Sequence, residues 1–261
     1  MSGLIIGGKE YNPGFFVVNY KDRPKVAIHW PEDMRRRVTK WIRNMVWHNT
    51  RNIATKLMPG IGKDTKLEDR IAEWWSLSKE QVGAHGCVDW DTTVGQHADL
   101  LLYAAFHAGS INEVSTGWEL FENNSGHIYE AQIEMAVRLT DFITMFFGIQ
   151  RQIPTPEYYN KVISRAERGG KDLVGVFGHC NQYAGKPNDP GVHIFQALKK
   201  AGYREFDFEH GEDIAWWKSW QEKCPAYPGK PDGIPGPMTV DALQARGYEG
   251  GIWLPPEHPR G

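Results

Sequence analysis

The residues best suited to chemistry lie in Phe177-Gly178-His179-Cys180-Asn181-Gln182-Tyr183-Ala184-Gly185-Lys186-Pro187-Asn188-Asp189-Pro190-Gly191. A histidine ends a β-rich run, and after a polar loop an aspartate meets a Pro-Gly turn, so two metal-binding side chains can converge. One more histidine would complete a catalytic zinc site, in which three protein ligands leave a fourth position open for water. His48, at the end of Met45-Val46-Trp47-His48, is a candidate, although a lone histidine at a strand end more often serves structure than binds metal. Glu119 stands in the run Ser115-Thr116-Gly117-Trp118-Glu119-Leu120. An unpaired carboxylate in an apolar strand costs free energy, so Glu119 is expected either at a metal site or at the surface. His107-Ala108-Gly109, leading to Asn112, is the remaining landmark. Cys180, next to His179, is expected to be buried and inert, because neighbouring residues of a strand face opposite sides.

Positioning these groups calls for alternating strands and helices. Residues 1–31 hold short β-like runs, Phe15 to Val18 and Val26 to Ile28, expected to extend a sheet. Asp33 can cap a short helix carrying Arg35-Arg36-Arg37 on a solvated face. Met45 to His48 reads as a buried strand, followed by a polar loop around Pro59 to Lys63. Residues 65–82 read as a helix with Ile71 and Trp75 on one side, able to wall a cleft. Two strands follow, over 85–90 and 92–96, with a turn near Asp91. The clearest helix covers 128–147, with Gln132, Ala136, Leu139, Ile143 and Phe147 on one stripe and Gly148 as its stop. A further helix is expected over 157–168, a strand over 173–177 that delivers His179, and a helix over 194–201 stopped by Gly202. Beyond a boundary near residue 206, an aromatic helix with Trp216, Trp217 and Trp220, a Pro/Gly loop over 225–237 and a short helix over 240–245 make a small module with a loose tail.

Composition limits the function classes. With 261 residues, 41% of them hydrophobic, the chain can bury a large core and a smaller one. A net charge of -2 provides no general attraction to nucleic acid or to anionic membrane, and no apolar run approaches membrane-spanning length. Cys87, Cys180 and Cys224 are odd in number and widely spaced, which argues against a disulfide framework and for a reducing cytosol. The start, Met-Ser-Gly-Leu-Ile-Ile-Gly-Gly-Lys, lacks the features of a secretory signal. Flat aromatic faces among the 11 Trp and 10 Tyr suit sugar rings, though most such residues pack cores.

Taken together, His48-Asn49-Thr50, His107-Ala108-Gly109, Ser115-Thr116-Gly117-Trp118-Glu119 and the His179 to Asp189 loop resemble the zinc-dependent N-acetylmuramoyl-L-alanine amidases. That family includes phage endolysins, wall-recycling amidases and the related peptidoglycan recognition proteins. The resemblance covers roughly residues 40 to 200, with the landmarks in the family's order. It implies an α/β fold, a central mixed β-sheet flanked by helices. It also implies a zinc ion held by His48, His179 and Asp189, with Glu119 taking the proton of the attacking water and passing it to the departing amine. His107 and Asn112 are implied near the cleft, His107 either touching substrate or making a structural hydrogen bond, and His85 is implied to be structural. Catalytic relatives often carry a lysine two residues before the aspartate, where its charge stabilises an oxyanion. Pro187 occupies that position here, so Lys186, one step earlier, is the candidate.

The stretch Asp232-Gly233-Ile234-Pro235-Gly236-Pro237-Met238-Thr239-Val240-Asp241-Ala242-Leu243 resembles about half of a peptidoglycan-binding helical domain. The expected organisation is a zinc amidase domain over 1–205 and a small helical wall-binding module with a tail over 206–261. The expected partner is bacterial peptidoglycan, cut between N-acetylmuramic acid and L-alanine by a monomer that neither binds nucleic acid nor inserts into membrane. A wall-binding tail without a signal peptide points to an endolysin made in the host cytoplasm and released by a holin. The alternatives are a cytosolic recycling amidase and a recognition protein that binds peptidoglycan without cutting it.

Overall fold

The computed structural model describes residues 2–28, 36–37, 42–50, 66–78, 82–123, 125–168 and 172–205, with 218, 221–222 and 229–231 beyond them. In chain order the elements are β1 (Leu4–Ile6), β2 (Lys9–Tyr11), β3 (Val17–Asn19), β4 (Asn44–Asn49), α1 (Leu67–Leu77), β5 (Gly86–Val88), β6 (Val94–Gln96), β7 (Ser115–Leu120), α2 (Glu130–Phe147), β8 (Gln152–Ile153), β9 (Gly175–Gly178), α3 (Val192–Lys200) and β10 (Arg204–Glu205). Six strands form one mixed sheet in the order β3-β6-β5-β7-β4-β9, in which only the β5–β6 pair is antiparallel. The pairs β1–β2 and β8–β10 stand apart from it.

β4 is buried at every position from Asn44 to Asn49, as a strand in the middle of a sheet covered on both faces must be. Trp47 pairs in register with Trp118 of β7, and both indoles are fully buried on the face that meets α2. α2 presents Gln132, Ala136, Leu139, Ile143 and Phe147 as one buried stripe, the three-to-four spacing placing them on a single face. Trp47 Nε1 donates to Thr140 Oγ1 at 3.1 Å, and Gln132 Nε2 donates to the carbonyls of Val88 and Phe121, so the helix is tied to the sheet by polar as well as apolar contacts. Gly148, in the left-handed region at φ 63°, ends it. Ile194, Phe195 and Leu198 of α3 complete this core.

Successive strand residues point to opposite faces, so packing Trp47 and Trp118 against α2 sends His48 and Glu119 to the other face, where the register sets them side by side. That face is flanked by two smaller apolar clusters. Leu67, Ile71 and Trp75 of α1 pack with Cys87 and Phe121, and Val46 and Phe177 pack with Ala108, Ile163 and Leu173. The chemistry is thus held between two apolar supports on a sheet anchored from behind.

Several elements differ from the sequence reading. Val26 closes a short 3₁₀ turn opened by Pro24 and is not in a strand. Residues 157–168 form a 3₁₀ turn at Pro156–Tyr158 followed by turns, not a helix. The carbonyls of Tyr158 and Lys161 are taken by Asn181 Nδ2 at 2.6 and 2.9 Å, and Ile163 N donates to the Asn181 carbonyl at 2.9 Å, so backbone groups that would form a helix ladder are stitched to the His179 loop. Arg37 is not on a solvated helix face. It is buried, and its guanidinium donates to the carbonyls of Tyr103, Asn112, Glu113 and Ser115. Asp33, Arg35, the Pro59 to Lys63 loop, Cys224, the three tryptophans of the C-terminal segment and the Asp232 to Leu243 stretch lie outside the described residues.

Candidate active site

β4 delivers His48, the turn after β9 delivers His179, and the segment before α3 delivers Asp189. Their ligand atoms all lie within 4.8 Å of one another. Both imidazoles aim Nδ1 at the same carboxylate oxygen: His179 Nδ1 is 3.4 Å and His48 Nδ1 3.9 Å from Asp189 Oδ2. Tetrahedral zinc with bonds of about 2.0–2.2 Å needs donors roughly 3.3–3.6 Å apart, so the three side chains fit such an ion after a contraction of roughly 1.2–1.5 Å at the widest pair. The other carboxylate oxygen, Asp189 Oδ1, accepts from Asn49 N at 2.9 Å, and Asn49 Nδ2 donates to the carbonyls of Asn188 and Pro190, clipping the aspartate's loop to the end of β4.

The protonation states also suit a metal. Burial lowers His48 to about 3, so its imidazole is neutral at physiological pH with a lone pair to offer. Burial works to raise Asp189, but the hydrogen bond from His179 and the charges of both histidines outweigh it and hold the carboxylate below its usual value. Two imidazoles and one carboxylate form an uncrowded donor set that can bind zinc and leave a site for water.

Glu119 sits beside His48, and its Oε2 is buried without a hydrogen-bond partner among the described residues. Burial, and then the charge of Asp189, push its carboxyl well above the ordinary glutamate value, while the charge of Lys186 pulls it down. The charge of Lys186 also acts on His48, lowering it. Tyr183 is exposed, with its ring 6.2 Å from that of His179 at a tilt of 30°, and forms an aromatic edge to the site.

His107 and Asn112 are turned inward. His107 is buried between His48, whose Nε2 lies 3.1 Å from His107 Nδ1, and Ser115, whose Oγ lies 3.1 Å from His107 Nε2. Its ring rests on Gly117, where a Cβ would come within 2.3 Å of the imidazole, so only glycine leaves room. Asn112 Oδ1 accepts from the backbone N–H groups of His107 and Ala108, which fixes the turn that carries His107. Of the two roles anticipated for His107, the geometry provides the structural hydrogen bond. His85 is buried too: Nδ1 accepts from Gly117 N at 3.0 Å, and Nε2 lies 3.0 Å from the Tyr103 carbonyl and 3.1 Å from the Arg37 guanidinium. Cys180 is buried with Sγ against the Tyr159 carbonyl, and burial pushes its thiol up to about 12, as expected of an inert cysteine. It lies in a 3₁₀ turn, not in the strand alternation first invoked for it.

A family model for N-acetylmuramoyl-L-alanine amidase matches residues 37–192, a span that takes in His48, His107, Glu119, His179, Lys186 and Asp189. The chain belongs to this family. No curated protein matches it. Among solved structures, an endolysin N-acetylmuramoyl-L-alanine amidase from Clostridium intestinale is similar at 12% identity over 71% of this chain and 93% of that one, with a TM-score of 0.43. The catalytic domain of XlyA is similar at 20% identity, covering 71% and 98% with a TM-score of 0.44. The Drosophila recognition protein PGRP-LB, solved with tracheal cytotoxin, is similar at 13% identity, covering 72% and 95% with a TM-score of 0.45. Membership rests on the sequence match and not on these distant likenesses.

In this amidase His48, His179 and Asp189, named from the sequence, lie together, and the groups that support them were not anticipated. Asn49 was part of a quoted motif, but nothing in its type indicated that it grips both the carboxylate and the carbonyls of the opposite loop. Gly117 carried a readable signal, since a glycine two residues before Glu119 on the same strand face marks a close approach by another group. Arg37 carried none, because four of its bonded partners are backbone carbonyls and the other is the ring of His85.

Proposed function

We propose that this amidase is a zinc enzyme of endolysin type that hydrolyses the amide bond between the lactyl group of N-acetylmuramic acid and L-alanine in bacterial peptidoglycan. The observation that carries the reading is the convergence of His48 Nδ1 and His179 Nδ1 on one oxygen of Asp189. Bound by these three, zinc would supply Lewis acidity, acidifying water and polarising an amide carbonyl. Glu119 is the general base and then the general acid: its buried carboxyl exchanges a proton with water and delivers it to the amine of L-alanine as the C–N bond breaks. Lys186 places positive charge where oxygen becomes negative, and Tyr183 offers a ring face at the rim of the cleft.

The catalytic unit is assigned to residues 1–205 and a helical wall-binding module to 206–261, joined in a monomer that does not bind nucleic acid or insert into membrane. Among the described residues no helix is long and apolar enough to cross a bilayer. Release to the wall through a holin completes the endolysin reading. A non-cutting recognition protein has no need of the Glu119, His48, His179 and Asp189 set. Metal analysis tests the assignment. The purified protein should hold one zinc per chain, lose activity on chelation and regain it on adding zinc, and His179→Ala should bind far less. A His179→Ala protein with full zinc content would contradict the ligand set.

A further inference from the structure

The hydrogen bonds behind His48 have a direction, set at their far end. Ser115 Oγ lies 2.7 Å from the Ile111 carbonyl, which can only accept. The single hydroxyl proton of Ser115 is therefore donated to Ile111, and Oγ is left to accept from His107 Nε2 at 3.1 Å. With its proton on Nε2, neutral His107 has a bare Nδ1, which must accept from His48 Nε2 at 3.1 Å. His48 then carries its proton on Nε2 and a lone pair on Nδ1, the nitrogen that faces Asp189 Oδ2. The reverse arrangement gives up the 2.7 Å bond and puts a proton on His48 Nδ1. Asp189 Oδ2, 3.9 Å away, is too distant to accept it.

We infer that Ser115 and His107 are positioning residues of a one-way proton chain, His48 to His107 to Ser115 to the Ile111 carbonyl, that selects Nδ1 of His48 as the metal-binding nitrogen. The inference rests on the zinc reading above. The chain is rigidly built. Asn112 Oδ1 fixes the backbone of His107, Gly117 admits the ring, and buried Arg37 binds the carbonyls of Asn112, Glu113 and Ser115 on both sides of it. His48 and Ser115 stand on adjacent parallel strands and His107 bridges them, so the tautomer of the ligand is determined by sheet register and not by the metal. Groups that orient a metal-bound histidine in this way typically change metal affinity about 10- to 100-fold when removed.

Two measurements on the full chain test this. In the zinc-free protein with ¹⁵N-labelled histidine, long-range proton–nitrogen spectra should show His48 and His107 both protonated at Nε2, with His48 Nδ1 becoming the metal-bound nitrogen once Zn²⁺ is added. Zinc affinity, read by competition with a chromophoric chelator, should fall about 10- to 100-fold in His107→Leu. It should recover partly in His107→Asn, whose amide oxygen replaces the acceptor, and should fall in Ser115→Ala with the His48 tautomers becoming mixed. A zinc-free spectrum with His48 protonated at Nδ1 would overturn the inference. So would His107→Leu and Ser115→Ala proteins that fold and bind Zn²⁺ within twofold of the parent. If a variant does not fold, the spectrum of the unmodified chain decides alone. If the unmodified chain binds no Zn²⁺, the zinc reading fails, while the zinc-free spectrum still decides the proton chain.

Discussion

Glu119 illustrates how one residue is given a task by its surroundings. Its position on β7 was legible as an anomaly, a carboxylate in an apolar run, and the structure resolves that anomaly by burying Oε2 beside His48 without a partner. A carboxyl so placed contributes little to stability and has a raised proton affinity, which suits proton transfer. Glu119→Gln keeps the shape and removes the base, so the fold and zinc content should survive while turnover falls about 10²- to 10⁴-fold. A variant within about twofold of the parent would make Glu119 structural. His48, His179 and Asp189 were legible as a ligand set through the resemblance to the amidase family and not from their types alone. The residues that aim them were not. Arg37 and Asn49 act largely through backbone carbonyls, and a sequence does not show which carbonyls will be brought within reach.

At the scale of elements, periodicity served where packing decides the structure and failed where side chains compete for the backbone. α2 kept its stripe and its Gly148 stop because a long amphipathic helix has one way to bury that face. The segment over 157–168 has helical spacing too, but Asn181 takes its carbonyls and Glu167 binds back to Ser164 N, a local bond of the kind that favours turns over helix. β4 and β7 illustrate the link between core and chemistry. Trp47 and Trp118 lock one face of the sheet on α2, so that His48 and Glu119 are held in register on the other. Trp118→Ala should therefore cost about 3–5 kcal/mol in denaturant unfolding. A loss under about 1 kcal/mol would mean that the tryptophan pair does not anchor the sheet.

For the whole molecule, titration of the buried groups sets the pH range of stability. Burial lowers His48 and His85 to about 3 and His97 to about 4, and lowers His107 well below its usual value. As pH falls below about 6.5 the unfolded chain protonates these histidines and the folded chain does not, so they remove stability on the acid side. Asp89 has the opposite sign. Burial and its hydrogen bond with Glu68 raise it to about 8, so its folded form keeps a proton that the unfolded form loses above about 4, and stability falls as pH rises; Glu119 is raised in the same way. Between pH 6.5 and 5 the four histidines outnumber the two carboxyls. Zinc-free protein should therefore lose on the order of 2 kcal/mol over that range in denaturant titrations. Equal stability at both pH values would mean that the histidines are hydrated in the folded state. Balanced charge and a large apolar fraction indicated a chain able to bury a core and without general attraction to nucleic acid, whereas the coupling of histidine burial to the sheet face needed the register. The central claim, amidase action on the wall, is tested most directly by mass spectrometry of purified peptidoglycan digested with the protein. The expected products are peptides with free L-alanine amino termini and glycan strands with intact reducing ends. New reducing sugar ends, or cuts between residues of the stem peptide, would contradict it.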